Sequence, residues 1–118
     1  MANVVDFNSA VIQEIVKEGE DLRIRFSNGN IHPANDASGG WKQLVELFLK
    51  QVEIIGDLPK VPVDLDDCYI LVALNPRTMP IPHEQSGEIE LQLVFSSGAL
   101  VIKSTHIQLS LIGEPVRA

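Results

Sequence analysis

The residues whose types could do chemistry are the acids of Asp64-x-Asp66-Asp67, the histidines His32, His83 and His106, and a single cysteine, Cys68. Clustered carboxylates hold hard cations. A calcium loop begun at Asp64 needs glycine at its sixth position and a bidentate glutamate at its twelfth, where the chain has Tyr69 and Asn75. A magnesium site would pair two of these acids with a substrate phosphate, but no glycine-rich loop is present to cradle one. Zinc takes about four nitrogen or sulfur donors in a tetrahedron, and the spacing of the three histidines and Cys68 matches no compact zinc pattern. Cys68 opens an apolar run and reads as a small buried hydrophobe. His83 stands beside Glu84 after a proline-rich stretch, the one histidine with a carboxylate neighbour in sequence.

No Gly-x-Ser-x-Gly elbow, Walker loop, Gly-x-Gly-x-x-Gly fingerprint or His-Glu-x-x-His pair occurs. Catalytic sites also assemble from residues distant in sequence. With every standard template absent, the expectation is a protein that is not an enzyme, binds no metal and needs no cofactor.

Charge is unevenly placed. The 118 residues carry a net charge of −7. Eight acids lie between Glu53 and Glu90 (Glu53, Asp57, Asp64, Asp66, Asp67, Glu84, Glu88 and Glu90) against only Lys60 and Arg77. Nucleic-acid binding needs clustered lysine and arginine to displace condensed counterions, so it is disfavoured. An acidic block of this kind is either a solvated surface or a docking surface for a basic partner. The second reading selects Asp64, Asp66, Asp67, His83, Glu84, Glu88 and Glu90 as candidate contacts. Arg77 and Met79 join them from the stretch Asn75 to Pro82, where three prolines imply a stiff loop and these two supply one charged and one adaptable apolar contact.

The elements that must position these residues follow from periodicity. With 45% hydrophobic residues the chain is too apolar to remain disordered, and its length suits a single domain over residues 1–118. Residues 11–18 carry both helical and strand signals and lean to strand, because Gly19-Glu20-Asp21 is a turn and Leu22, Ile24 and Phe26 alternate with Arg23 and Arg25. Asn28-Gly29 suits a tight turn, and His32 to Gly40 a loop. Trp41, Leu44, Val45, Phe48, Leu49 and Val52 recur at helical spacing, which predicts one helix at about 41–52. Cys68 to Leu74 is continuously apolar, as in a strand covered on both faces. Ile89, Leu91, Leu93 and Phe95 alternate with polar residues. Leu100 and Ile102 are inward on even numbers and Ile107, Leu109 and Leu111 on odd ones, so an extra residue is absorbed near Ser104-Thr105. The string Leu22-x-Ile24-x-Phe26-Ser27-x-Gly29-x-Ile31 recurs as Leu91-x-Leu93-x-Phe95-Ser96-x-Gly98-x-Leu100.

The expected fold is α+β, a mainly antiparallel sheet of five or six strands with the helix on one face. Unpaired edges and the double-sided strand suggest a homodimer. One cysteine leaves no intrachain disulfide, the start Met1 to Asp6 has no signal-peptide pattern, and the longest apolar run is six residues, whereas a membrane span needs about 20. A cytoplasmic protein without a membrane role is expected. The leading functional expectation is a protein-binding module that occupies a basic partner, in the manner of an immunity protein or a phage anti-defence inhibitor. The alternatives are a binder of an anionic, nucleotide-like ligand through Arg23, Arg25 or Arg77, and a metal-dependent hydrolase built on Asp64, Asp66 and Asp67.

Overall fold

The computed structural model describes residues 3–7, 10–33, 40–73, 75–77, 79–81 and 83–117, and all regular structure among them is strand. In chain order the strands are β1 (Asn3–Asp6), β2 (Val11–Glu18), β3 (Asp21–Pro33), β4 (Trp41–Lys50), β5 (Glu53–Ile55), β6 (Val63–Asp64), β7 (Asp67–Val72), β8 (Asn75–Arg77), β9 (Met79–Ile81), β10 (His83–Phe95) and β11 (Gly98–Arg117). They pair antiparallel in the order β6-β2-β3-β4-β11-β10-β7-β8, with β1 against β3 and β9, and β5 against β11. The sheet curls into a half-barrel. Its two ends are drawn together at Leu65-Asp66, where Leu65 N donates to Ala10 O at 2.9 Å and Asp66 N donates to Val94 O at 2.7 Å.

Alternation fills the interior. Ile12, Leu22, Ile24, Phe26, Val45, Leu47, Leu49, Leu91, Leu93, Leu100, Ile102 and Ile107 are all fully buried on the concave face, and each such side chain stabilises by roughly 1.5–3 kcal/mol relative to exposure. The Phe26 ring meets Phe7 at 4.7 Å between centroids. No described residue lies in a helix, so among the described residues no helix is long and apolar enough to cross a membrane.

The α+β expectation is overturned: the described residues form an all-β sheet of eleven strands rather than five or six, and residues 41–50 form β4, not a helix. Val45 and Leu49 satisfy both periods, which is why the helical spacing looked complete. The helical reading left out Leu47 and put Leu44 and Phe48 inward. In the strand Gln43, Val45, Leu47 and Leu49 are buried while Leu44 and Phe48 turn outward. Leu47 lies opposite Ile24 of β3 and Leu109 of β11, and burial between two neighbouring strands overrides local propensity.

Three smaller expectations also change. Asn28-Gly29 is not a hairpin turn but a bulge within β3, with Asn28 at φ 59° and the register slipping between Phe26 and Gly29 against β4. Prolines 76 and 80 do sit in ladders, on β8 against β7 and on β9 against β1. Each of these is a strand of three residues paired on one side only, the edge setting in which proline is tolerated. In β7 only Ile70 is buried, so the strand is not covered on both faces.

The hairpin of β2 and β3 forms around Gly19-Glu20 as its alternation implies. The parity change in β11 occurs between buried Ser104 and buried Ile107, where β11 exchanges β5 for β4 as its neighbour. The Ser104 hydroxyl lies 2.6 Å from the Lys50 carbonyl and 2.8 Å from that of His106, holding this corner. The first copy of the repeated string lies within β3, whereas the second turns from β10 into β11, so the two copies are not equivalent hairpins or strands.

Candidate functional site

On β5, β11, β10 and β7 the inward set leaves a convex face built from the intervening residues. Val101 stands opposite both Ile55 and Gln92, Gln92 opposite Tyr69, and Val94 opposite both Ala99 and Asp67. Directly opposed residues bring their Cβ atoms to about 5 Å, so these side chains form one continuous patch. Ile55 is 45% exposed and Tyr69 46%. Leu58 and Val61, on the connector between β5 and β6, add further exposed apolar surface. Carboxylates rim the patch: Glu53, Asp66, Asp67, Glu88 and Glu90, with Lys103 set between Glu90 of β10 and Glu53 of β5. A groove of about 340 Å³ opens at its edge, lined by Glu88, Ile89, Glu90, Lys103 and Ser104.

Tyr69 and Asp67 share the outward side of β7, and the phenol donates to Asp67 Oδ2 while Asp67 Oδ1 accepts from the Cys68 amide at 3.0 Å. The bond to Asp67, and then its charge, raise the Tyr69 phenol above its ordinary pKa. The half-buried Cys68 has its thiol pushed far up, first by desolvation and then by the charges of Asp67 and Asp6. A thiol so held is not a nucleophile at neutral pH.

The structure gathers some expected contacts and separates others. Asp66, Asp67, Glu88 and Glu90 belong to the rim, where Glu90 Oε2 accepts from Gln92 Nε2 at 2.6 Å. Asp64 is exposed on β6 beside Val11 of β2. Glu84 is exposed on β10 and its partner is His106 of β11, 2.9 Å away. Arg77 lies in β8, Met79 in β9 and His83 in β10, and their side chains lie outside the described residues. Among the described residues no group of three potential metal ligands converges.

Two of the three arginines expected for an anionic ligand, Arg23 and Arg25, are already engaged. Arg23 lies 3.0 Å from Glu46 and 3.4 Å from Glu18, with its guanidinium 5.6 Å above the Phe48 ring, and Arg25 lies 3.5 Å from Glu46. Arg25 Nε and Glu46 Oε1 make no aligned hydrogen bond, so these are charge pairs rather than bidentate bonds, each worth about 0–1 kcal/mol.

Sequence reasoning missed Ile55, Tyr69, Val94 and Val101, because apolar residues within apolar runs read as core. It also missed the rung of Ser86 and His106, which becomes adjacent only through the β10–β11 register. The parity break near Ser104 was the available signal for that register. Comparison with known proteins finds no matching family model, no matching curated protein and no matching solved structure.

Proposed function

We propose that the chain is a protein-binding module that takes a basic partner on the convex face of β5, β11, β10 and β7, blocking that partner as an immunity protein or an anti-defence inhibitor does. The observation that carries this reading is the exposed Tyr69, set among Ile55, Val94 and Val101 and rimmed by carboxylates that outnumber Lys103. Partner-binding surfaces combine aromatic anchors that exclude water with a polar rim that selects charge. An acidic rim suits a lysine- and arginine-rich partner. It disfavours a second copy as occupant, since a two-fold axis through this face would bring like charges together, so a homodimer would use another surface. We place the protein in the cytoplasm, consistent with a lone cysteine whose thiol is held unreactive.

The experiment is affinity capture followed by titration of the captured protein. Tyr69→Ala should weaken binding by about 2 kcal/mol or more, the scale of an interface anchor. Val16→Ser, on the outward side of β2, should leave affinity unchanged. Equal affinities for both variants and the parent would remove the face from consideration.

A further inference from the structure

Beyond partner binding, the β10–β11 ladder brings together three side chains that no motif unites. Ser86 Oγ lies 2.6 Å from His106 Nδ1, and His106 Nε2 lies 2.9 Å from Glu84 Oε2. A carboxylate only accepts, so Glu84 fixes the imidazole proton on Nε2. The Nδ1 lone pair is then left to accept the Ser86 hydroxyl. That is the logic of an activated serine, with nucleophile, base and orienting acid in one chain, here with the two ring nitrogens exchanged relative to the familiar serine-hydrolase wiring.

Four surrounding features suit this chemistry. The Ser86–His106 rung is followed by a register slip, the next pair being Ile89 with Ser104. A bulge removes a residue from the ladder and is over-represented beside active sites. Gly87, at φ 126°, follows the serine, and a Cβ placed there would meet nothing within 4 Å, so the backbone beside the serine is open and the Gly87 amide is a candidate donor to an oxyanion. The 340 Å³ groove begins at that next rung. Finally, Ser104 Oγ accepts from the His106 amide at 3.2 Å, which fixes the backbone that carries the imidazole.

We infer that Ser86, His106 and Glu84 form an acyl-transfer site for small esters that are uncharged or cationic. Ser86 Oγ attacks the ester carbonyl carbon as its proton passes to His106 Nδ1. The bond to the alcohol breaks, and the alcohol leaves with that proton. Water then attacks the acyl-serine, its proton passing through Nδ1 back to Ser86 Oγ as the carboxylic acid departs. Ser86 and His106 are the catalytic residues, and Glu84 is a positioning residue. Glu84, Glu88 and Glu90 disfavour an anionic acyl group, which sets the substrate class.

The test uses the full chain with a fluorophosphonate ester and with para-nitrophenyl acetate. The parent should form a phosphonyl adduct on Ser86, located by mass spectrometry, and Ser86→Ala should form none there. His106→Gln should slow both reactions by about a hundredfold or more, the usual contribution of a general base. Glu84→Gln, whose side chain is 62% exposed in the parent and so bears little on folding, should lower kcat with KM unchanged. Para-nitrophenyl hemisuccinate, which is anionic, should react more slowly than the acetate. No adduct on Ser86, or labelling at the parent rate in a folded His106→Gln, would overturn the site. An unchanged kcat in Glu84→Gln would remove the positioning role, and faster turnover of the hemisuccinate would overturn the substrate class.

Discussion

The phenol of Tyr69 donates its proton to the carboxylate of Asp67, two positions back on the same outward side of β7. The bond holds an exposed aromatic ring at the acidic rim and favours the neutral phenol. Tyr69 is the only tyrosine in the chain, so its titration can be read without overlap. The phenolate absorbance should appear at higher pH than for free tyrosine, and Asp67→Ala should bring it back down. Because the folded pKa is raised, the stability this bond contributes is present below the unfolded tyrosine pKa of about 10 and is lost as pH rises through the folded value. A titration midpoint unchanged by Asp67→Ala would contradict the arrangement.

Cys68 gives an equally clean readout, being the only thiol. Desolvation and the nearby carboxylates disfavour its thiolate. A disulfide reagent at neutral pH should therefore modify the folded protein at least about tenfold more slowly than the denatured chain. Equal rates would show that the thiol is open to solvent.

Gly29 occupies a bulge with no room for a side chain. A Cβ there would fall 2.5 Å from Val45 Cγ2 and 3.1 Å from the Gln43 carbonyl oxygen. Gly29→Ala should lower stability by roughly 1–3 kcal/mol through overpacking, measured by urea unfolding.

Leu44 and Leu47 separate the strand from the helical alternative. Leu47 is fully buried, whereas Leu44 is 36% exposed. Leu47→Ala should cost about 2–5 kcal/mol, and Leu44→Ala less than about 1 kcal/mol. A helix with Leu44 inward requires the reverse order.

These two leucines also show how far the sequence could be read. Strict alternation made residues 22–26 of β3, 89–95 of β10 and the start of β11 legible, but not the continuation of β3 through the Asn28-Gly29 bulge to Pro33 or the opening stretch of β10. The parity break near Ser104 located the corner of the sheet. Trp41 to Lys50 was not legible as strand because Leu44 and Phe48 are apolar on the outward side; Phe48 lies beneath the Arg23 guanidinium, a contact that no local pattern announces. Charge counts gathered the acids but did not separate Asp66, Asp67, Glu88 and Glu90 of the rim from Asp64 and Glu84, which lie elsewhere. The apolar centre of the rim was not legible either, since Ile55 meets Val101 only through the pairing of β5 with β11, and Val94 joins them diagonally across the β10–β11 hairpin. Glu84 adjoins His83 in sequence; across the strands it stands opposite Gln108 and reaches diagonally to His106.

The most direct test of the proposed function is the association rate of the captured partner as a function of salt. Between 0.01 and 0.15 M salt the Debye length falls from about 30 to about 8 Å, and steering by an acidic face is lost with it. The rate for the parent should fall by about tenfold or more over that range. Replacing Asp64, Asp66 and Asp67 with asparagine should give a slower rate and a flatter salt dependence, with little change in dissociation. An association rate that ignores salt in the parent, and is the same in the triple variant, would contradict a basic partner on this face.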